Sequence, residues 1–273
     1  MGRRVVTAVV AAATIIYALN APWAWVMPLV SLIGFGFGFY ELGKLLNWGL
    51  KTNISAAGAT LFLILTLGYV RMSPDVIFLI LLALFGLGSC SLFLRKVDRP
   101  HPLAWMGVFW LAAPVIGFTA LHLYRPATPN PVTMLFLCLW AADTFALLAG
   151  KAFGKHKMAP TLSPSKTWEG AVGGLLGAIG FGVGTADLFD MPIWVAVIVG
   201  VVTGILGPVG DLFESYMKRR VDVKDSGGVF PGHGGMLDRI DSLLMASIPT
   251  CWLMYVLHPS VFHVKQFFEA LFR

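Results

Sequence analysis

The stretch from Asp211 to Asp241, DLFESYMKRRVDVKDSGGVFPGHGGMLDRID, holds six of the chain's 14 acidic residues and five of its 20 basic ones. Apolar runs flank it on both sides. Charges of both signs between hydrophobic segments are costly unless they pair or hold a ligand. Asp211, Glu214 and Ser215 fall at i, i+3 and i+4, which puts them on one helix face. Asp238 and Asp241 share a face in the same way, with Arg239 turned from it. Between them lies Gly227-Gly228…Pro231-Gly232-His233-Gly234-Gly235, where backbone amides can come close to a ligand. Carboxylates from two helix ends plus a glycine-rich bend suit a hard cation. Mg²⁺ takes few carboxylates and leaves positions for phosphate oxygens. Lys218, Arg219 and Lys224 then suit the charge of a polyphosphate. The competing reading is a mixed-charge loop with ordinary salt bridges. Composition leaves the two even; the Asp238–Asp241 spacing directly before an apolar run favours the site.

Two further places carry chemistry. Asp143 sits inside an apolar run, well before Lys151. A carboxylate at that depth costs about 2.5–3.5 kcal/mol on insertion scales and needs a partner. Membership of the polar site is preferred to a structural pair with a nearby lysine. The loop before the next apolar run ends Ser163-Pro164-Ser165-Lys166-Thr167-Trp168-Glu169-Gly170. Ser165 and Thr167 can cap the helix start, and Glu169 suits its first turn. A helix N-terminus with Lys166 also makes a phosphate site. The two readings are compatible. Glu41, near a membrane edge, reads as a cap or as the i+3 partner of Lys44.

The elements that must position these residues are membrane helices. The chain is 57% hydrophobic and 12% charged, with a mean hydropathy of +0.78. A soluble domain carries about 25% charged residues. Runs of roughly 20 apolar residues recur, enough to cross a bilayer. The expectation is an all-α polytopic membrane bundle of nine spans, near 5–20, 23–43, 54–70, 75–94, 103–121, 132–150, 168–187, 192–211 and 242–258. With the N-terminus cytoplasmic, sixteen Lys and Arg fall on the cytoplasmic side and four on the other, as the positive-inside rule requires. The chain reads as one membrane domain, 1–273. Residues 1–130 are packing helices, 131–260 carry the site, and 261–273 form an interfacial tail. The start resembles a signal peptide but lacks a clean cleavage site, so a retained first span is preferred. Net charge +6 fits cytoplasmic loops and anionic lipid, not nucleic acid. Cys90, Cys138 and Cys251 lie in apolar runs without CxxC spacing and read as free thiols. Gly170, Gly173, Gly174, Gly177 and Gly180 are spaced for close helix contact. Such glycine-rich spans make a homodimer plausible.

Ser215-x-Met217-Lys218-Arg219, Lys224-Asp225-x-Gly227 and Pro231-x-His233-Gly234-Gly235-x-x-Asp238-Arg239-x-Asp241 together resemble the C-terminal motif of the phosphatidate cytidylyltransferases. The loop at 163–170 is similar to that family's second motif. Asp143 to Gly154 resembles a third, with Leu147 where an aromatic is common. The N-terminal third matches in hydropathy alone. The resemblance implies that CTP and phosphatidate give CDP-diacylglycerol and pyrophosphate with Mg²⁺. It implies Asp211, Asp238 and Asp241 as metal ligands, with a monovalent cation such as K⁺ sharing the site, and Lys224 beside them. Asp143 would line the cavity. Ser165, Lys166, Thr167, Lys218, Arg219, His233 and Arg239 would hold CTP and lipid phosphates. It also implies a homodimer in the inner (plasma) membrane, with the site facing the cytoplasm. The alternatives are a cation transporter or channel with an acidic mouth, and an enzyme consuming a CDP-lipid. The charges cluster at one mouth and not along a crossing path, which counts against the first. The terminal Asp-x-x-Asp counts against the second.

Overall fold

A computed structural model of the chain describes residues 2–23, 25–46, 74–94, 107–124, 129–227 and 234–258. The expected span at 54–70, His233 and the tail at 261–273 lie outside the described residues. Within them the chain forms helices α1 (Gly2–Asn20), α2 (Val26–Leu45), α3 (Pro74–Leu94), α4 (Gly107–Tyr124) and α5 (Val132–Phe153). A hairpin of β1 (Lys157–Ala159) and β2 (Ser163–Thr167) follows. Helices α6 (Trp168–Gly184), α7 (Ile193–Arg220) and α8 (Leu237–Leu257) complete the described fold. Four of these, α2, α5, α7 and α8, are long and apolar enough to cross a membrane.

Two expectations change. The segment between α5 and α6 is not all loop but a small antiparallel hairpin, with Lys157 opposite Thr167 and Ala159 opposite Ser163. The register slips between these pairs, so β2 bulges around Pro164–Lys166. Proline cannot donate to the ladder, and a bulge re-aims the side chains it carries. Second, α7 runs well beyond the expected span edge near 211, as the shared helix face of Asp211, Glu214 and Ser215 implied. It continues to Arg220, and α8 begins at Leu237, so both acidic clusters are helical.

Helix α8 joins two apolar cores. Ala246, Cys251 and Met254 pack with Leu19, Met134, Leu135, Val195 and Val199. Leu244 and Ile248 pack with Leu42, Leu81, Trp110 and Leu111. A helix apolar on most sides is buried among its neighbours.

The glycines of α6 have their partner within the chain. A Cβ on Gly173 would enter the Ala149 methyl, one on Gly174 would lie 2.7 Å from the Ala142 carbonyl, and one on Gly177 would meet the Phe145 ring. These residues line the face of α5. On the other side, a Cβ at Gly200 of α7 would stand 2.6 Å from Cα of Ile179. Helix backbones therefore touch on both flanks of α6, the arrangement small residues permit in lipid. This glycine stripe is used within one protomer.

Gly200→Val should lower the thermal unfolding midpoint in detergent, by about 1–3 kcal/mol of overpacking. Gly180→Ala should leave it near native, because a Cβ at Gly180 meets nothing within 4 Å.

Candidate active site

The end of α7 and the start of α8 meet at Gly210. A Cβ there would run into the Asp241 carbonyl and lie 2.9 Å from the Met245 Cβ. This contact sets Asp211 beside Asp241. The charged side chains around it form two groups, one buried and one open.

The buried group is centred on Lys218. Its ammonium donates to Glu214 Oε2 at 2.7 Å and to Asp238 Oδ1 at 2.5 Å, tying the last turns of α7 to the first turn of α8. All three side chains are largely buried. The second oxygen of Asp238 accepts from the Ser226 amide (3.1 Å), the Ser226 hydroxyl (2.9 Å) and the Gly235 amide (2.7 Å). Ser226 Oγ also lies 3.2 Å from Glu41 Oε2, which accepts from the Leu237 amide at 2.9 Å. A charge out of water persists only when such partners surround it.

The open group faces the hairpin. Lys166, on the bulged part of β2, pairs with Asp211 at 2.8 Å and donates to the Pro208 carbonyl at 3.2 Å. Asp211 remains 42% exposed. Asp143 is exposed and within coulombic reach of Asp211, Lys166 and Arg239. Asp241 is itself buried, and it stands between the two groups, within coulombic reach of Asp211, Asp143 and Lys166 on one side and of Glu214 on the other; its Oδ1 accepts from the Ser242 amide. Asp143, Asp211 and Asp241 thus share one electrostatic neighbourhood with Lys166, and Asp143 also with Arg239. On the surface of α5, Phe145, Leu147 and Leu148 are exposed beside Asp143.

Thr167 is the N-cap of α6, its hydroxyl accepting from the Gly170 amide at 3.1 Å. Glu169 accepts from the His156 amide at 3.2 Å and lies 2.6 Å from its ring Nδ1, fastening the hairpin base to the helix start. Lys166 engages α7 as described, so the capping reading of this loop fits its geometry. Ser165 is exposed. Of the basic residues expected at phosphates, Lys218 is taken up by two carboxylates. Arg219 donates to the Val223 carbonyl at 3.0 Å but stays exposed, as do Lys224 and Arg239.

Glu41 and Ser226 escaped the motif reading. Glu41 does not serve as a partner of exposed Lys44 but is buried against the glycine-rich segment. The signal available was the one that singled out Asp143: a lone carboxylate in an apolar run.

Among the described residues, no three His, Cys, Asp or Glu side chains close on one point as a ready metal cage. The open group suits a cation that takes few protein oxygens and completes its shell with water or phosphate, as Mg²⁺ does. Asp211 and Asp241 are its best-placed donors, whereas Asp238 is committed to Lys218, Ser226 and Gly235.

The fold and this charged junction define a helical membrane protein with a cluster of acidic and basic side chains where the hairpin, α7 and α8 meet. The cytidylyltransferase family model matches residues 2–258, and the chain belongs to that family. The match includes the N-terminal third, where motifs gave nothing. A phosphatidate cytidylyltransferase of Brucella abortus is 34% identical over 192 residues, covering 69% of this chain and 68% of that protein. One from Rickettsia felis is 34% identical over 181 residues, 63% of this chain and 78% of its own. One from Staphylococcus haemolyticus is 40% identical over 131 residues, 47% of this chain and 50% of its own.

Lys218→Met should destabilise the protein in detergent by roughly 3–5 kcal/mol, because it strands two buried carboxylates. The double variant Lys218→Met/Glu214→Gln should recover part of that loss in a thermal-melt cycle. Equal melting of all three proteins would refute this account of the buried group.

Proposed function

We propose that the chain transfers CMP from CTP to phosphatidate, giving CDP-diacylglycerol and pyrophosphate for phospholipid synthesis. The observation that carries this is the open group of Asp143, Lys166, Asp211, Asp241 and Arg239 beside the apolar outer face of α5. Family membership and the names of the relatives support it. A phosphate oxygen of phosphatidate attacks the α-phosphorus of CTP, the bond to the β-phosphate bridging oxygen breaks, and pyrophosphate leaves. No protein nucleophile is required, so positioning and charge neutralisation supply most of the rate.

In this reading Asp211 and Asp241 hold the divalent ion, with Asp143 adding negative field and Asp238 ordering the segment that approaches it. A divalent cation bound there supplies Lewis-acid polarisation of the phosphoryl group and neutralises triphosphate charge. Arg219, Lys224 and Arg239 would meet the phosphates from the exposed side, and the motif to which His233 belongs assigns it to the same phosphates. Lys166 pairs with Asp211 and would hold it in place beside the ion. Ser165 and Thr167 shape the hairpin end. The lipid headgroup enters beside Leu147 and Leu148 while its acyl chains stay in the bilayer.

The same proposal keeps nine spans, a cytoplasmic N-terminus and a site on the cytoplasmic face of the plasma membrane. It keeps a monovalent cation as a second ion and a homodimer as the assembly, through a surface other than the α6 glycines. The ion-path alternative finds no support: the family is one of transferases.

Purified protein with CTP, phosphatidate and Mg²⁺ should incorporate the cytidine label into lipid, and EDTA should abolish this until Mg²⁺ is restored. Asp211→Asn and Asp241→Asn should each cost at least about 100-fold in kcat, the scale of losing a group that stabilises developing charge. Full activity in either variant, or no labelled lipid from native protein, would remove the reading.

A further inference from the structure

Glu41 lies in α2, far in sequence from every motif described above, yet only 1% of it is exposed. Its Oε2 accepts from the backbone amide of Leu237, the first residue of α8, at 2.9 Å. The residue before it, Met236, gives α8 no side-chain cap. The first amides of a helix need acceptors, and a carboxylate there also meets the positive end of the helix dipole. Glu41 thus caps α8 from another helix.

The same oxygen lies 3.2 Å from the Ser226 hydroxyl, and Ser226 in turn donates through its amide and hydroxyl to Asp238. Glu41 therefore touches both stems of the segment joining α7 to α8. Two glycines make room for it. A side chain at Gly227 would project into Glu41 Oε1, and one at Gly235 would collide with Oε2. Burying a carboxylate this deeply is expensive. The outlay is spent on one place, the start of the helix that carries Asp238 and Asp241.

We infer that Glu41 is a positioning residue for the transfer reaction: it fixes the N-terminus of α8 and the Ser226 stem, and through them the register of Asp238 and Asp241. It touches neither the reacting atoms nor the phosphates. The inference rests on the function proposed above for its catalytic consequence, but the clamp itself is a structural statement that can be read without substrate.

Three variants of the whole chain in detergent test it. Glu41→Leu keeps the bulk and removes the acceptors. Hydrogen exchange in the segment containing Leu237 should accelerate at least about tenfold. kcat should fall roughly 10–100-fold, the cost of a misplaced reacting geometry. Glu41→Gln keeps an acceptor oxygen and should recover kcat to within about fivefold of native, a loss on the scale of one weakened hydrogen bond. Ser226→Ala removes the hydroxyl that lies between Glu41 and Asp238, leaves the amide bond to Asp238 in place, and should lower kcat roughly 3–10-fold; it decides the matter if the leucine variant does not fold. Native exchange and turnover in Glu41→Leu, or in Ser226→Ala where the leucine variant is lost, would overturn the inference. So would a glutamine variant no better than leucine. Native protein that makes no CDP-diacylglycerol but shows accelerated exchange in Glu41→Leu would sink the proposed function and leave the clamp standing.

Discussion

Everything at the polar end of this bundle depends on keeping one ammonium group out of water. Lys218 has no exit to solvent comparable to that of its neighbours Arg219 and Arg220, and it is held between Glu214 on its own helix and Asp238 on the next. An isolated ammonium there would cost many kcal/mol; paired twice, it becomes the rivet between α7 and α8. Its position forces the remainder. Asp238 is turned towards it, so the other oxygen of Asp238 is free to gather Ser226 and Gly235. Arg220, two residues beyond, donates to the Phe93 carbonyl of α3 and lies over the Tyr216 ring of its own helix.

This division gives the junction two mechanical regimes. The buried group has nearly all its donors matched to acceptors, and such a network is stiff because each member is costly to release. The open group has three carboxylates facing Lys166 and Arg239, an imbalance relieved by anything that brings positive charge. The two groups share two helices and meet at Asp241, which is buried and within coulombic reach of both Glu214 and Asp211. Positive charge brought to the open group is therefore felt by the buried one through Asp241.

Much of the frame was legible in the sequence because hydropathy and glycine spacing are local signals. The described helices follow the expected apolar runs, and the i, i+3 spacing of Asp238 and Asp241 placed both on one helix. What the sequence concealed is pairing over distance. Nothing in KRR distinguishes Lys218, which is buried, from Arg219, which is exposed; only the approach of α8 decides it. Glu41 and Ser226 are separated by most of the chain, and no spacing rule links them. The helical extension beyond Ser215 to Arg220 was hidden because its polar residues look like a loop once the apolar run ends. The hairpin was hidden because five residues containing a proline carry little strand signal.

The hairpin between α5 and α6 ties the open group to a turn of three residues, Pro160 to Leu162. Its base is locked by Glu169 on His156 and by the Thr167 cap, and its bulge aims Lys166 across to α7. Drift in the identity of those turn residues would leave Lys166 where it is. A single insertion or deletion would slide β2 against β1 and carry the ammonium away from Asp211. Over evolutionary time, then, this turn is free to change its letters but not its length.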